Sequence, residues 1–365
     1  MRVICTHENL KKSLGLVTRV SSGNLTLPIL NNILIKTDNG LLKLSSTNLE
    51  VAVNTWVRCK IEEDGGITIP AKTFSELINN LPSGNISLYT ENLELFIESG
   101  SFKTKIRGLN SEEFPLIPQL DQQSAGNIPV NALRLALSQT SFAAAYSETQ
   151  PEMSGIFLSF GNGELKVVAT DRYRLAEKKL AIESSFESKN VIIPNRSVQE
   201  LNKILSLAEG EDIQIFFAQG QIMFKTQDTE LISRLIDAQY PDYEQIIPLE
   251  FKTEIECNTS DVVAAMRTAG IFTQAGNNVN LTFKEPDSFS VTSSSSDIGE
   301  SDVNIPSKVT GEAGSIIFNH RYVLDCLSVI GTPKVKIKII NNNAPGVICS
   351  PDMPGYTYLV MPIRI

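Results

Sequence analysis

Ile69-Pro-Ala-Lys-Thr-Phe-Ser-Glu-Leu-Ile-Asn-Asn-Leu81 is echoed by Ile193-Pro-Asn-Arg-Ser-Val-Gln-Glu-Leu-Asn-Lys-Ile-Leu205 and, more loosely, by Phe318-Asn-His-Arg-Tyr-Val-Leu-Asp-Cys-Leu-Ser-Val-Ile330. The register points Pro70, Pro194 and Asn319 lie 124 and 125 residues apart (194 − 70 and 319 − 194). A period near one third of a 365-residue chain is too long for a solenoid and fits three sibling domains.

Neighbouring segments keep this register. Each copy opens with an amphipathic helix, around Leu10, Leu14 and Val17, around Leu133 and Leu137, and around Val262, Met266 and Ala269. Apolar strands follow at 33–35, 156–158 and 279–283, and Leu44-Ser-Ser-Thr-Asn48 matches Val167-Val-Ala-Thr-Asp171. After the second helix comes a hairpin of period two: Ile86-Ser-Leu-Tyr89 with 93–97, Ile213-Gln-Ile-Phe216 with 222–224, and Val335-Lys-Ile-Lys338 with 347–349. Phe114-Pro-Leu-Ile-Pro118 and Tyr240-Pro-Asp-Tyr243 read as extended linkers, because the residue before proline is biased away from helix. The expected fold is therefore α+β, with domains at 1–121, 122–248 and 249–365, each holding two helices on antiparallel sheets of about eight strands.

The formal charge is −9, from 32 basic and 41 acidic residues, so a generic basic coat for nucleic acid is excluded. A local basic lining is not. Lys72, Arg196 and Arg321 stand in one column of the repeat, two residues past each register point. The first helices add Lys11, Lys12, Arg19, Arg134 and Arg267, and the second helix of the middle copy adds Lys203. No apolar run suggests a signal peptide or membrane span, and five scattered cysteines read as reduced thiols, so a cytoplasmic protein is expected. No P-loop, G-x-S-x-G, H-E-x-x-H or dinucleotide fingerprint is present, and the only histidines, His7 and His320, fall in different copies. Neither catalysis nor a metal or cofactor is expected.

Size then limits assembly. A domain of this length is about 35 Å across. Three in a closed triangle leave a hole of roughly 5 Å, and six leave one of roughly 35 Å. A B-form duplex of about 20 Å would pass only the larger. Two chains joined head to tail, by contacts whose rotation closes, would make such a ring.

The threefold repeat, Leu27-Pro-Ile-Leu30, Val168-Ala-Thr-Asp-Arg-Tyr-Arg-Leu175, Tyr240-Pro-Asp-Tyr243 and the terminal Tyr358-Leu-Val-Met-Pro-Ile-Arg-Ile365 together resemble the sliding-clamp family, the beta subunit of the bacterial replicative DNA polymerase. The resemblance spans the whole chain. It implies a six-domain ring formed by a homodimer, which encircles duplex DNA without sequence preference and gives a polymerase processivity. A peptide-binding scaffold that does not encircle DNA is the alternative. The family's partners are the polymerase catalytic subunit, the clamp loader and repair proteins, which dock short linear motifs in a pocket. Carried over, that pocket takes Met153, Thr170, Arg172, Tyr173, Arg174 and Leu175, with Pro241 and Ile246 from the second linker and Val360, Met361, Pro362 and Ile363 from the tail. The resemblance also puts Gln150 near DNA, beside Tyr146 and Ser147. It puts Phe102, Ile106 and Leu109 against Ile271 and Phe272 at the subunit interface. There, Lys72, Lys103 or Lys105 would face Asp297, Glu300 and Asp302. Two positions often basic in the family are Asn24 and Gln245 here.

Overall fold

A computed structural model describes residues 1–21, 27–118, 120, 125–147, 149–182, 186–208, 210–273 and 276–364. Asn24 and Ile365 lie outside the described residues. Six helices occur among those described: α1 (His7–Val17), α2 (Ala71–Asn80), α3 (Val130–Thr140), α4 (Asn195–Leu207), α5 (Thr259–Ile271) and α6 (His320–Ile330). Thr6 caps α1 by accepting from the Asn9 N–H at 3.4 Å, and Leu10, Leu14 and Val17 form its buried stripe. Asn319 caps α6 by accepting from the Arg321 N–H, and Gly331 ends it at a left-handed φ of 62°. Lys72, Arg196 and Arg321 are each the second residue of their helix, and all three are exposed.

The chain packs as two compact units, Met1–Arg134 with Arg196–Leu235, and Leu135–Asn195 with Ile236–Ile365. In the first, one 12-stranded sheet takes in the eight strands from Arg2–Thr6 to Phe102–Arg107 together with Gly126–Pro129 and the hairpin strands Asp212–Ala218, Gln221–Lys225 and Thr229–Arg234. Its joint is the antiparallel pairing of Thr229–Arg234 with Val51–Glu63, in which Ile232 faces Ala52. His7 Nε2 bonds the Ile78 carbonyl at 2.8 Å and ties α1 to α2.

In the second unit a nine-stranded sheet runs from Lys189–Pro194 through Arg174–Ala181 to Tyr356–Val360 and on to Ser307–Gly311. Its joint pairs Tyr356–Val360 with Arg174–Ala181, with Leu359 facing Leu175. A separate four-stranded sheet ends on Gly299–Asn304. Gly270 in α5 has a packing reason, since a Cβ there would stand 2.7 Å from the His320 ring nitrogen at the start of α6. Sheet-to-sheet fusion between successive copies is what the sequence pattern alone does not reveal. Pairing registers are set by cross-strand neighbours far apart in the chain.

Candidate functional site

The segment Thr170–Arg174 turns tightly between Glu164–Thr170 and Arg174–Ala181. Arg172 adopts a φ of 76°, rare for a residue with a Cβ, and the turn is fixed around it. Asp171 Oδ1 accepts the Tyr173 and Arg174 N–H groups at 3.0 and 2.9 Å, and Thr170 Oγ1 donates to the Arg174 carbonyl at 2.7 Å. The Arg174 guanidinium donates to Asp171, to Asp325 and to the Phe142 carbonyl, and lies 4.6 Å above the Tyr322 ring. Burial opposes its charge, but Tyr358, Asp325 and Asp171 more than compensate, so it holds its proton more tightly than a free arginine. Arg174 is thus the bracket of the turn. Sequence reasoning identified Arg174 but not Asp325, Phe142 and Tyr322, which only the fold brings to it.

The tail is tied to this turn. Arg174 pairs with Val360, the Met361 N–H donates to the Tyr173 carbonyl at 2.8 Å, and the Ile363 N–H donates to Ile317. Beneath lies a core of Val168, Leu175, Ile192, Tyr240, Tyr243, Val347 and Leu359, with Phe157 stacked on Tyr240 at 4.7 Å. Tyr243 donates its hydroxyl to the buried Glu177 carboxylate at 2.8 Å. Burial first, and Glu177 second, push that phenol well above its ordinary pKa, so it remains a donor.

The expected pocket residues therefore divide by exposure. Met153, Thr170, Leu175 and Val360 are buried; Pro241, Arg174, Met361, Pro362 and Ile363 are half-buried; Arg172, Tyr173 and Ile246 stand out in solvent. Tail, turn and core are joined by the bonds just given, and Pro241 and Ile246 flank Tyr243 in the chain. Met153 sits in the turn before Gly155–Gly161, its carbonyl accepting from Ala145. The half-buried Pro241, Met361, Pro362 and Ile363 and the exposed Tyr173 and Ile246 are side chains of the kind that take up an extended peptide with apolar anchors.

Of the expected DNA-facing residues, Lys11, Lys72, Arg134, Arg196, Lys203, Arg267 and Arg321 are exposed on helices and Arg19 is exposed in the turn after α1, while Lys12 on α1 and Gln150, outside any helix, are half-buried. Arg19 is engaged with Glu200 at 2.7 Å. The expected interface residues lie on two sheet edges. Phe102–Arg107 ends the 12-stranded sheet and exposes Phe102, Lys103 and Lys105 while burying Ile106. Gly299–Asn304 ends the four-stranded sheet and exposes Glu300 and Asp302. Leu109, Ile271 and Asp297 are exposed, and Phe272 packs beside Gly299. Bare edges of this kind invite pairing with another strand.

Three copies of one α+β unit, joined in-chain by edge-strand pairing and leaving Phe102–Arg107 and Gly299–Asn304 as sheet edges among the described residues, define a protein of the DNA-clamp class. The comparisons make this specific. Family profiles for the DNA polymerase III beta subunit match throughout, the N-terminal domain over residues 1–118, the central domain over 127–242 and the C-terminal domain over 244–364. The beta sliding clamps of Staphylococcus epidermidis and Staphylococcus aureus are each 32% identical over 355 and 357 residues, covering 94% of both chains. The crystal structure of the Bacillus subtilis sliding clamp superposes with a TM-score of 0.95 at 30% identity, covering 100% of this chain and 99% of that one. That of the Pseudomonas aeruginosa DNA polymerase III subunit beta gives 0.94 at 27%, with both chains fully covered. The chain belongs to the bacterial DNA polymerase III beta sliding clamp family. It is a DNA sliding clamp of replication, a processivity factor rather than an enzyme, and the non-encircling scaffold alternative has no support.

Proposed function

We propose that two copies of the chain close head to tail into a ring around duplex DNA, through a third joint between Phe102–Arg107 of one protomer and Gly299–Asn304 of its partner. What carries this is register. Lys105, Ile232 and Leu359 hold one repeat position, because each pairs through the hairpin after its copy's second helix to the fifth residue of that hairpin's leading strand, Tyr89 in Asn85–Glu91, Phe216 in Asp212–Ala218 or Lys338 in Lys334–Ile339. Ala52, Leu175 and Glu300 likewise hold one position, opposite Thr47, Thr170 and Ser294. Ile232 faces Ala52 and Leu359 faces Leu175. The same rule sets Lys105 of one copy against Glu300 of the partner, and two residues on, Lys103 against Asp302. Charge played no part in this register, yet both pairs come out complementary, which favours the assembly.

The ring encloses the exposed basic helix faces, which contact phosphates loosely, while topology rather than affinity retains DNA. An acidic exterior adds little attraction and so permits sliding. The polymerase catalytic subunit, the loader and repair proteins dock short motifs on the Thr170–Arg174 turn and the Met361–Ile363 tail, which raises their effective concentration at the primer end. The domains are 1–121, 122–248 and 249–365, and the ring works in the cytoplasm. No helix of the described residues is long and apolar enough to cross a membrane. The test is to load the protein on nicked circular DNA with a matching loader and then linearise the DNA. Loss of the protein on linearisation is expected; unchanged retention would overturn topological holding.

A further inference from the structure

The first joint holds a cavity of about 730 Å³, with one wall of Ile117, Leu120, Phe216, Met223 and Ile232 and a larger polar share that includes Asp38, Lys43, Gln214, Lys225 and Glu230 around Trp56. This is within the roughly 300–1,000 Å³ of small-molecule pockets, so a tyrosine side chain with part of its peptide backbone fits without filling it. Asn54 also lines it, is only 3% exposed, and its Oδ1 is buried with no hydrogen-bond partner. An unpaired buried carbonyl oxygen of this kind is costly and calls for a donor.

The second joint indicates which donor. Asn54 faces Ser45 as Glu177 faces Val168, so the two hold the same repeat position. Glu177 receives the Tyr243 hydroxyl, and Tyr243 fills the space among Leu175, Val347 and Leu359. Their counterparts in the first joint are Ala52, Met223 and Ile232, and the residue packed there is Ile117, three past Phe114 as Tyr243 is three past Tyr240. Isoleucine brings neither the ring nor the hydroxyl. The rim satisfies its own charges: the Trp56 N–H donates to Asp38 at 2.9 Å, the Lys43 ammonium lies 4.8 Å over the indole, and Lys225 pairs with Glu230 at 2.9 Å.

We propose that this cavity binds the tyrosine side chain of a partner peptide, its ring against the apolar wall and its hydroxyl donating to Asn54 Oδ1. The chain's own Tyr243 reaches the matching slot on an extended segment, which favours a peptide over a free phenol. Trp56 is the only tryptophan of the chain, so its fluorescence reports the site. The full-length protein is titrated with capped Gly-Tyr-Gly, capped Gly-Phe-Gly and p-cresol, with excitation where tyrosine does not absorb. The tyrosine peptide should saturate the signal and bind roughly three- to tenfold more tightly than the phenylalanine peptide, the span of one hydrogen bond. It should also bind more tightly than p-cresol. Ile117→Tyr should fill the slot from within and abolish binding, and Asn54→Leu should make the two peptides equal. Absence of saturation, equal affinity of the two peptides for the parent chain, tighter binding of p-cresol, or unchanged binding in both variants would each overturn the proposal.

Discussion

The two in-chain joints are one design executed differently. In the first, small Ala52 faces Ile232, the linker supplies Ile117 and Leu120, and a cavity remains beside an unpaired Asn54. In the second, Leu175 faces Leu359, the linker supplies Tyr240 and Tyr243, and the buried Glu177 is satisfied by a phenol. The strand pairing is the same, so backbone hydrogen bonds define the joint and side chains only tune it. The second joint also continues into the Met361–Ile363 tail, tied back through Tyr173 and Ile317. There a filled core lies under the exposed Arg172 and Tyr173 of the turn, which suits the proposed docking of a peptide.

Four substitutions test how far the joints differ. The largest effect is expected where the third joint closes between copies. Lys103→Glu with Lys105→Glu would set like charges against Asp302 and Glu300, costing several kcal/mol and raising the dimer dissociation constant at least about a hundredfold. Sedimentation should then show mainly the 40.1 kDa protomer, and Glu300→Lys with Asp302→Lys in the same chain should restore the dimer. Next comes Tyr243→Phe, which leaves Glu177 buried without its hydroxyl donor and should cost about 1–3 kcal/mol by urea unfolding, with dimer mass unchanged.

Met361→Ala with Pro362→Ala should weaken a partner motif peptide about tenfold by removing apolar contacts, leaving sedimentation unaltered. Undiminished peptide affinity would remove the tail from the site. The smallest effect concerns Lys166 and Glu244, 2.6 Å apart. The hydrogen bond from Lys166 depresses the Glu244 pKa, and the bond to Glu244 raises that of Lys166. Glu244 therefore stabilises above the ordinary carboxylate value near about 4.3, and this is lost as pH falls through its lower folded value. Lys166 contributes below the ordinary lysine value, and this is lost as pH rises through its higher folded value. Glu244 is exposed and Lys166 half-buried, so solvent screens the pair, and Glu244→Gln should cost under about 1 kcal/mol at neutral pH and flatten the acid limb of stability between about pH 5 and 3.

Much of the fold is legible in the sequence because it is written three times. Six helices with the expected buried stripes, and eight or nine described strands per copy, follow from periodicities that local pattern preserves. Fusion of sheets across copies is not legible, since Ala52 meets Ile232 only through a register set far away in the chain. The residues of the Thr170–Arg174 turn stand out as a motif, but Asp325 and Tyr322, which brace Arg174, are on a helix whose pattern announces only a buried face. The open slot beside Asn54 is the least visible feature of all. It exists because one linker carries isoleucine where the other carries tyrosine, a difference that is silent until both are seen against the same neighbours.

The closing joint can be tested by a pair of cysteines, Lys105→Cys and Glu300→Cys in one chain, oxidised and weighed under denaturing conditions. Directly opposed strand residues come within disulfide reach, whereas a two-residue offset takes them beyond it. Covalent dimers of twice the protomer mass are expected, absent from either single variant and far weaker for Lys103→Cys with Glu300→Cys. Cross-links in the offset pair instead, or none in the matched pair, would contradict a third joint built on the register of the other two.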